Sequence, residues 1–365
     1  MIYDFTAYGP DRVVSGIGAL AQLSEVLSNL GVKRALVITG HTLATKTDLV
    51  SRVESVIGDI HVGTFSDCGQ HVPASSVDKA CEAVKKANAD AIVVFGGGSP
   101  IDTGKMVVYR QIEADGKAIP QINIPTTLSA GEFTHATGMT DDQTRVKNIF
   151  SHPDIQPRVI IYDPELTSAT PRDLWITTGV KALDHAVEGL WWPECHPYLE
   201  SLRLGAIADL REHLALSADP QNLDARLGCM HAAWKSLTGL LSAKSVGFRL
   251  SHPLGHQIGA RWDIPHGVTS CIVLPTVCRF LLPRTQTAQA QIARAMGLPD
   301  GTAEVAISRF LDTLDVPRSL SDCGATRDEL PLVAEAVANE LAFLKGPDHE
   351  IATREVLTEL LESMW

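Results

Sequence analysis

Lys181, His185 and Glu188 are spaced so that one helix carries all three on the same face. His252 and His256 stand four apart, and His266 follows in the run Asp263-Ile264-Pro265-His266-Gly267. A single histidine is often a core residue with both ring nitrogens satisfied. Four of them in short segments, with a lysine and a carboxylate, point instead to a site for charge stabilisation and proton transfer. A different chemistry lies upstream. The stretch Phe95-Gly96-Gly97-Gly98-Ser99-Pro100-Ile101-Asp102-Thr103-Gly104-Lys105 follows a strand-like run and opens a helical one. Its three consecutive glycines let a phosphate approach the backbone, free N–H groups at a helix start favour an anion, and Pro100 suits the first turn. The loop is neither GxGxxG nor a P-loop, so neither of those mechanisms transfers to it. Pro125-Thr126-Thr127-Leu128-Ser129-Ala130-Gly131-Glu132-Phe133-Thr134 is dense in hydroxyls, as befits either a cofactor contact or a plain Ser/Thr-rich turn.

The elements that must hold these residues differ along the chain. Ala35 to Thr39, Ala91 to Phe95, Ile122 to Ile124 and Val159 to Tyr162 are short β-rich runs, and Val77 to Ala87 has helical spacing between them. Strands alternating with helices predict a parallel sheet. After Pro171 helical patterns take over: 177–191, 198–216, 223–241, 288–295, 303–314 and 330–344. Ser270 to Leu274 is the one later run expected to form a strand. The expected organisation is an α/β dinucleotide-binding domain over 1–165 and an all-α catalytic domain over 166–365, with the cleft between domains as the default site.

Composition bounds the function. The chain has 365 residues, 45% hydrophobic and 20% charged, with a net charge of -12. That balance argues against nucleic acid or an anionic membrane surface as a general partner. No basic start with a long apolar run marks a signal peptide, and no uninterrupted apolar run has the ~20 residues of a membrane helix. Seven scattered cysteines without a CxxC pair fit reduced thiols in the cytoplasm.

Taken in order, the GGGS loop with Asp102, the Pro125-Thr126-Thr127 segment with Glu132 and Thr134, and Asp163-Pro164-Glu165-Leu166-Thr167 resemble the iron-containing alcohol dehydrogenase superfamily. So do Thr178-Gly179 before the His185 helix and the run from His252 to Gly267. His71-Val72-Pro73 and Val316-Pro317-Arg318-Ser319-Leu320 are most similar to the maleylacetate reductase branch. The resemblance implies a Rossmann-like N-terminal domain and a helical C-terminal domain, the architecture shared with dehydroquinate synthase. It also implies hydride transfer between NAD(P) and a carbonyl or alcohol.

In metal-dependent members of that superfamily an Asp and a His four apart on one helix, the first His of an HxxxH pair and the His of a PHG motif bind the metal. Those positions are Lys181, His185, His252 and His266 here, while His256 corresponds to the non-ligand histidine near the nicotinamide. An ammonium has three donors and no lone pair, so it opposes a divalent cation. The expectation is therefore a degenerate site without a catalytic metal. Lys181 would bind the substrate oxygen or a carboxylate, assisted by His185, His252 and His266, and His256 would be the proton donor. Lys181, Arg249 and Arg261 are expected to gather positive charge for a carboxylated carbonyl substrate.

The expected cofactor-binding residues are Gly40, Thr42, Gly96, Gly97, Gly98, Ser99, Asp102, Thr126, Thr127, Leu128 and Lys147. In the family the residue after the first strand lies near the adenosine ribose, and an Asp there repels a 2′-phosphate. This chain has Gly40, His41 and Thr42, with Lys46 nearby, so NADP(H) is expected ahead of NAD(H). A homodimer is the expected assembly. Three other readings stay open: a metal-dependent enzyme using the three remaining histidines, a non-redox relative, and a catalytically silent dinucleotide-binding protein.

Overall fold

A computed structural model describes residues 5–6, 8–144, 146–192, 195–240 and 249–365. Among these, 6–170 with 220–230 form one compact unit, and residue 5 with 171–219 and 231–365 form the other.

The first unit runs β1 (Arg12–Ser15), α1 (Leu23–Asn29), β2 (Ala35–Thr39), α2 (His41–Lys46), α3 (Leu49–Ile57), β3 (His61–Phe65), α4 (Ala74–Ala87), β4 (Ala91–Gly96), α5 (Gly98–Asp115), β5 (Gln121–Pro125), β6 (Ala136–Thr140), β7 (Lys147–Ser151) and β8 (Val159–Tyr162). Six strands form one parallel sheet in the order β1-β8-β5-β4-β2-β3, and β6 and β7 pair antiparallel as a separate ribbon. The central strands are apolar without alternation because both faces are covered. Ala35, Val37, Ala91, Val93 and Phe95 pack into one core, and Leu36, Ile38, Ile92 and Val94 into the core on the opposite face. The early part of α8 (Leu223–Leu237) also belongs to this unit, where the Arg226 guanidinium donates to the Thr167 carbonyl and hydroxyl at 2.7 and 2.9 Å.

The second unit is helical: α6 (Arg172–Leu190), α7 (Pro197–His213), the rest of α8 (Leu223–Leu237), α9 (Ser251–Trp262), α10 (His266–Ala295), α11 (Ala303–Asp312), α12 (Leu330–Leu344) and α13 (Arg354–Glu362). The expected end of α8 at Leu241 lies outside the described residues. The run Ser270 to Leu274, expected as a strand, is helical and buried within α10. A short apolar, β-branched run does not distinguish a buried strand from a buried helix, and packing inside a helical unit decided it. By length and composition α10 matches a membrane span, yet 67% of its apolar window is buried in protein, which marks a core helix.

Candidate functional site

Two groups of functional side chains are built in different ways. In the sheet unit β4 ends at Gly96, whose φ of 149° is open to glycine. A Cβ on Gly96 would meet Pro100 Cγ at 2.8 Å, and one on Gly97 would meet Thr127 Cγ2 at 2.9 Å. A Cβ on Gly98 would stand 3.4 Å from Ser129 Oγ. The structure thus brings the glycine loop and the Thr126–Ser129 segment into contact, aided by Thr126 N–H donating to the Gly96 carbonyl at 3.0 Å. No side chain caps the start of α5 at Gly97, leaving a backbone cradle of the kind that takes phosphate. Ser99 and Asp102 are half-buried on the first turns of α5, and Thr126, Thr127 and Leu128 are buried.

Gly40 caps α2 at φ -91°, an extended backbone that does not require glycine. Its absent side chain leaves space, since a Cβ there would find only Pro100 Cγ, at 4.0 Å. Thr42 and Lys46 are exposed on α2. Lys147 lies on the exposed strand β7, its stem against Gly138.

Sequence reasoning did not anticipate the anchor of this segment. The fully buried Lys105 ammonium donates to the Gly131 carbonyl, to Thr134 Oγ1 at 3.0 Å and to the Ala136 carbonyl at 2.9 Å, fastening the turn to α5. Burial lowers its pKa to about 8. Glu132, also fully buried, accepts from Tyr162 OH at 2.6 Å, and burial pushes it up to about 7. The signal was present as a lysine about two turns after the glycine loop, but nothing along the chain pairs it with residues 131–136.

In the helical unit α6 carries Lys181, His185 and Glu188, α9 carries His252 and His256, and α10 begins at His266. Glycine lets these helices meet. A Cβ on Gly267 would sit 2.7 Å from the Thr177 carbonyl carbon and oxygen, and one on Gly255 would sit 3.0 Å from His266 Cε1. The four histidines come together: His185 stacks on His252 at 5.1 Å, and His266 lies 5.6 Å from His252 and 5.0 Å from His256, centroid to centroid.

Lys181 is 5% exposed, with Nζ 3.4 Å from Asp184 Oδ2, which also accepts from Ser270 Oγ at 2.7 Å. Glu188 accepts from the Ser251 N–H at 2.6 Å and pairs with His252 Nδ1. Burial first, and then the Lys181 charge, hold His185 and His252 well below the ordinary imidazole range. Burial holds Glu188 well above the carboxylate range, with Asp184 adding to it.

Two arginines do not behave as expected. Arg249 is buried and clamped on Asp348, donating from Nε at 2.7 Å and from Nη2, while Nη1 donates to the Trp191 carbonyl. Arg261 pairs with Glu329. The positive charge that Arg249 was expected to lend a substrate is spent within the protein, because a buried guanidinium needs its own carboxylate, whereas the Arg261 pair is exposed.

The family models for "Iron-containing alcohol dehydrogenase" and "Fe-containing alcohol dehydrogenase family, C-terminal" match residues 10–164 and 175–365. This chain belongs to the iron-containing alcohol dehydrogenase family. It is an oxidoreductase of the maleylacetate reductase branch. It is 32% identical over 355 residues to maleylacetate reductase of Rhizobium sp. (strain MTP-10005), covering 97% of this chain and 96% of the relative. The maleylacetate reductase of Burkholderia cepacia is 31% identical over 354 residues, covering 96% and 94%. The crystal structure of maleylacetate reductase from Agrobacterium tumefaciens superposes with a TM-score of 0.87 at 29% identity, covering 100% and 99%.

At the family's metal positions His185, His252 and His266 keep imidazole donors, while Lys181 brings a cation in place of a fourth ligand. Lys181 replaces the carboxylate with a buried ammonium, which has no lone pair to offer and opposes a cation's charge. Asp184, Glu188 and His252 each bring one ligand atom within 4.8 Å of the others. Glu188 is committed to Ser251 and His252, however, and Asp184 Oδ2 to Ser270 and Lys181. Asp184 Oδ1 takes no hydrogen bond from the described residues, and one oxygen beside an ammonium does not make a metal site.

Proposed function

We propose that this protein is an NAD(P)H-dependent reductase that polarises its carbonyl substrate with Lys181 in place of a metal ion. The observation that carries the reading is the Lys181 ammonium, 5% exposed and held 3.4 Å from Asp184 beside the stacked histidines. A positive charge in a dry site is worth far more to a developing alkoxide than the same charge in water. Asp184 and Ser270 position the ammonium. Burial favours the neutral form of His185 and His252, in which each ring can donate one hydrogen bond and accept another. His256 gives the proton to the substrate oxygen.

Bound NAD(P)H supplies the hydride. The backbone cradle at Gly96, Gly97 and Gly98, with Ser99, Asp102, Thr126, Thr127, Leu128 and Lys147, holds it. Gly40, with Thr42 and Lys46 near it, leaves room for a 2′-phosphate, which supports NADPH ahead of NADH. The substrate class, a small keto acid or related aldehyde, rests on the maleylacetate reductase relatives. With Arg249 clamped on Asp348, Lys181 is, among the described residues of the cluster, a cation that can meet a carboxylate. The enzyme acts in the cytoplasm as a homodimer on this reading.

A second reading has one observation in its favour: a lysine paired with Asp184 is also what a silent, structural ion pair looks like. Kinetics separate the two. Exhaustive chelation is expected to leave turnover intact while Lys181→Met lowers it. Activity lost on chelation and restored by zinc or iron overturns the metal-independent reading. Unchanged turnover in Lys181→Met makes the lysine structural.

A further inference from the structure

His256 does not stand alone on α9. Its Nδ1 lies 2.8 Å from Glu340 Oε1 on α12, and the neighbouring Gln257 Nε2 donates to Glu340 Oε2 at 2.7 Å. Both carboxylate oxygens are thus held by consecutive residues of α9, which fixes the rotation of the Glu340 side chain. His256 is about one-third exposed and Glu340 one-fifth, so the pair is shielded but not sealed from water. An ionised carboxylate only accepts, so the imidazole nitrogen facing it carries the hydrogen.

We infer that Glu340 is the positioning residue for His256, locking the imidazole with Nδ1–H toward the carboxylate and leaving Nε2 as the atom that exchanges a proton with the substrate oxygen. The step balances simply. The imidazolium gives its Nε2 proton to the alkoxide, an O–H bond forms, and the N–H electron pair stays on Nε2. Nδ1 keeps its hydrogen and its bond to Glu340, and the carboxylate does not change protonation. This follows the general rule that the hydrogen bond at one ring nitrogen decides what the other can do. The neighbouring His252 and His266 rings lie 6.0 and 5.0 Å from the His256 ring, centroid to centroid. The inference rests on the proposed role of His256 as proton donor.

The experiment pairs kinetics with spectroscopy on the full-length protein bound to NADPH, with maleylacetate as the carbonyl probe. Long-range 1H–15N correlation spectra of the wild type are expected to show His256 as the Nδ1–H tautomer when neutral, and an Nε2–H resting form overturns the inference without any variant. Glu340→Gln keeps the shape but offers an amide, which can present N–H to the ring. It is expected to shift His256 toward Nε2–H and to lower kcat about tenfold to a hundredfold, leaving KM for NADPH within about twofold. Glu340→Asp is expected to restore part of kcat. In a His256→Gln background Glu340→Gln is expected to have no further effect on kcat. A drop of the same size there, or an unchanged tautomer in Glu340→Gln, overturns the positioning role. If His256→Gln itself keeps wild-type kcat, the proton-donor reading fails separately, and the tautomer spectra still decide what Glu340 does to the ring.

Discussion

The glycine loop after β4 and the histidine cluster on α6, α9 and α10 are made from opposite materials. The loop offers backbone: three glycines, a helix start without a side-chain cap, and a partner segment pressed so close that Gly97 has no room for a Cβ. The cluster offers side chains: Lys181, four histidines, and the carboxylates Asp184 and Glu188 that orient them. A backbone site depends on the absence of atoms and tolerates many changes around it. A side-chain site in a dry environment depends on the identity of each charged group, because every unpaired charge there is costly.

The largest expected break falls in the cluster. Lys181→Met should lower kcat about 100- to 1,000-fold, the usual loss on removing one oxyanion donor, with KM for NADPH little changed. Lys181→Arg should fall between, since a guanidinium keeps the charge but not the shape. Steady-state kinetics check both, and a cofactor KM that rises in step with the loss of kcat would erase the distinction between the two regions.

The loop unit carries buried charges of its own, Glu132 and Lys105. Glu132 is raised by burial from 4.5 to about 7, so folded Glu132 keeps a proton that the unfolded chain has released in that window. Stability should therefore fall as pH rises from about 4.5 to 7. Lys105 is lowered by burial from 10.5 to about 8, so above pH 8 the folded state releases a proton that the unfolded chain retains until about 10.5, and stability should rise again. Each limb is on the order of 1–3 kcal/mol. Chemical denaturation at pH 5, 7 and 9.5 tests this, and Glu132→Gln should flatten the acid limb. A stability that climbs from pH 5 to 7 would show that Glu132 is charged at no cost in the fold.

Gly97→Ala should weaken NADPH binding roughly tenfold, about 1.4 kcal/mol, because its Cβ would meet Thr127 Cγ2 at 2.9 Å and Oγ1 at 3.1 Å. Thr127→Ala should recover part of that loss in the double variant. Equilibrium titration of cofactor fluorescence reads the effect, and an unaffected Gly97→Ala would mean that the loop yields and is not a rigid cradle.

The smallest effect concerns selection between cofactors. Gly40→Asp has steric room and should move the ratio of kcat/KM for NADPH and NADH toward NADH by about tenfold, roughly 1.4 kcal/mol. A wild-type preference for NADH above about tenfold would reject the NADPH expectation, and an unchanged ratio in the variant would place selection elsewhere.

Much of this was legible in the chain itself. The strands at Ala35, Ala91, Ile122 and Val159 and the helices at 303 and 330 begin within a residue of where their patterns start, because a fully covered sheet and an amphipathic helix each impose a local period. The Lys181, His185 and Glu188 face follows from helical geometry alone. Local rules failed where packing had the casting vote: Ser270 to Leu274 became helix inside an apolar unit, and Arg249 turned inward to Asp348, 99 residues away. Glu340 reaches His256 across 84 residues, and Glu188 reaches His252 across 64. Spacing along one element decides which side chains share a face, so the sequence by itself determined the glycine loop, the lysine in the metal position and the histidines around it. Which carboxylate answers which buried cation or imidazole depends on how separate elements pack, so only the tertiary structure decided the partners that set the charge and orientation of those groups.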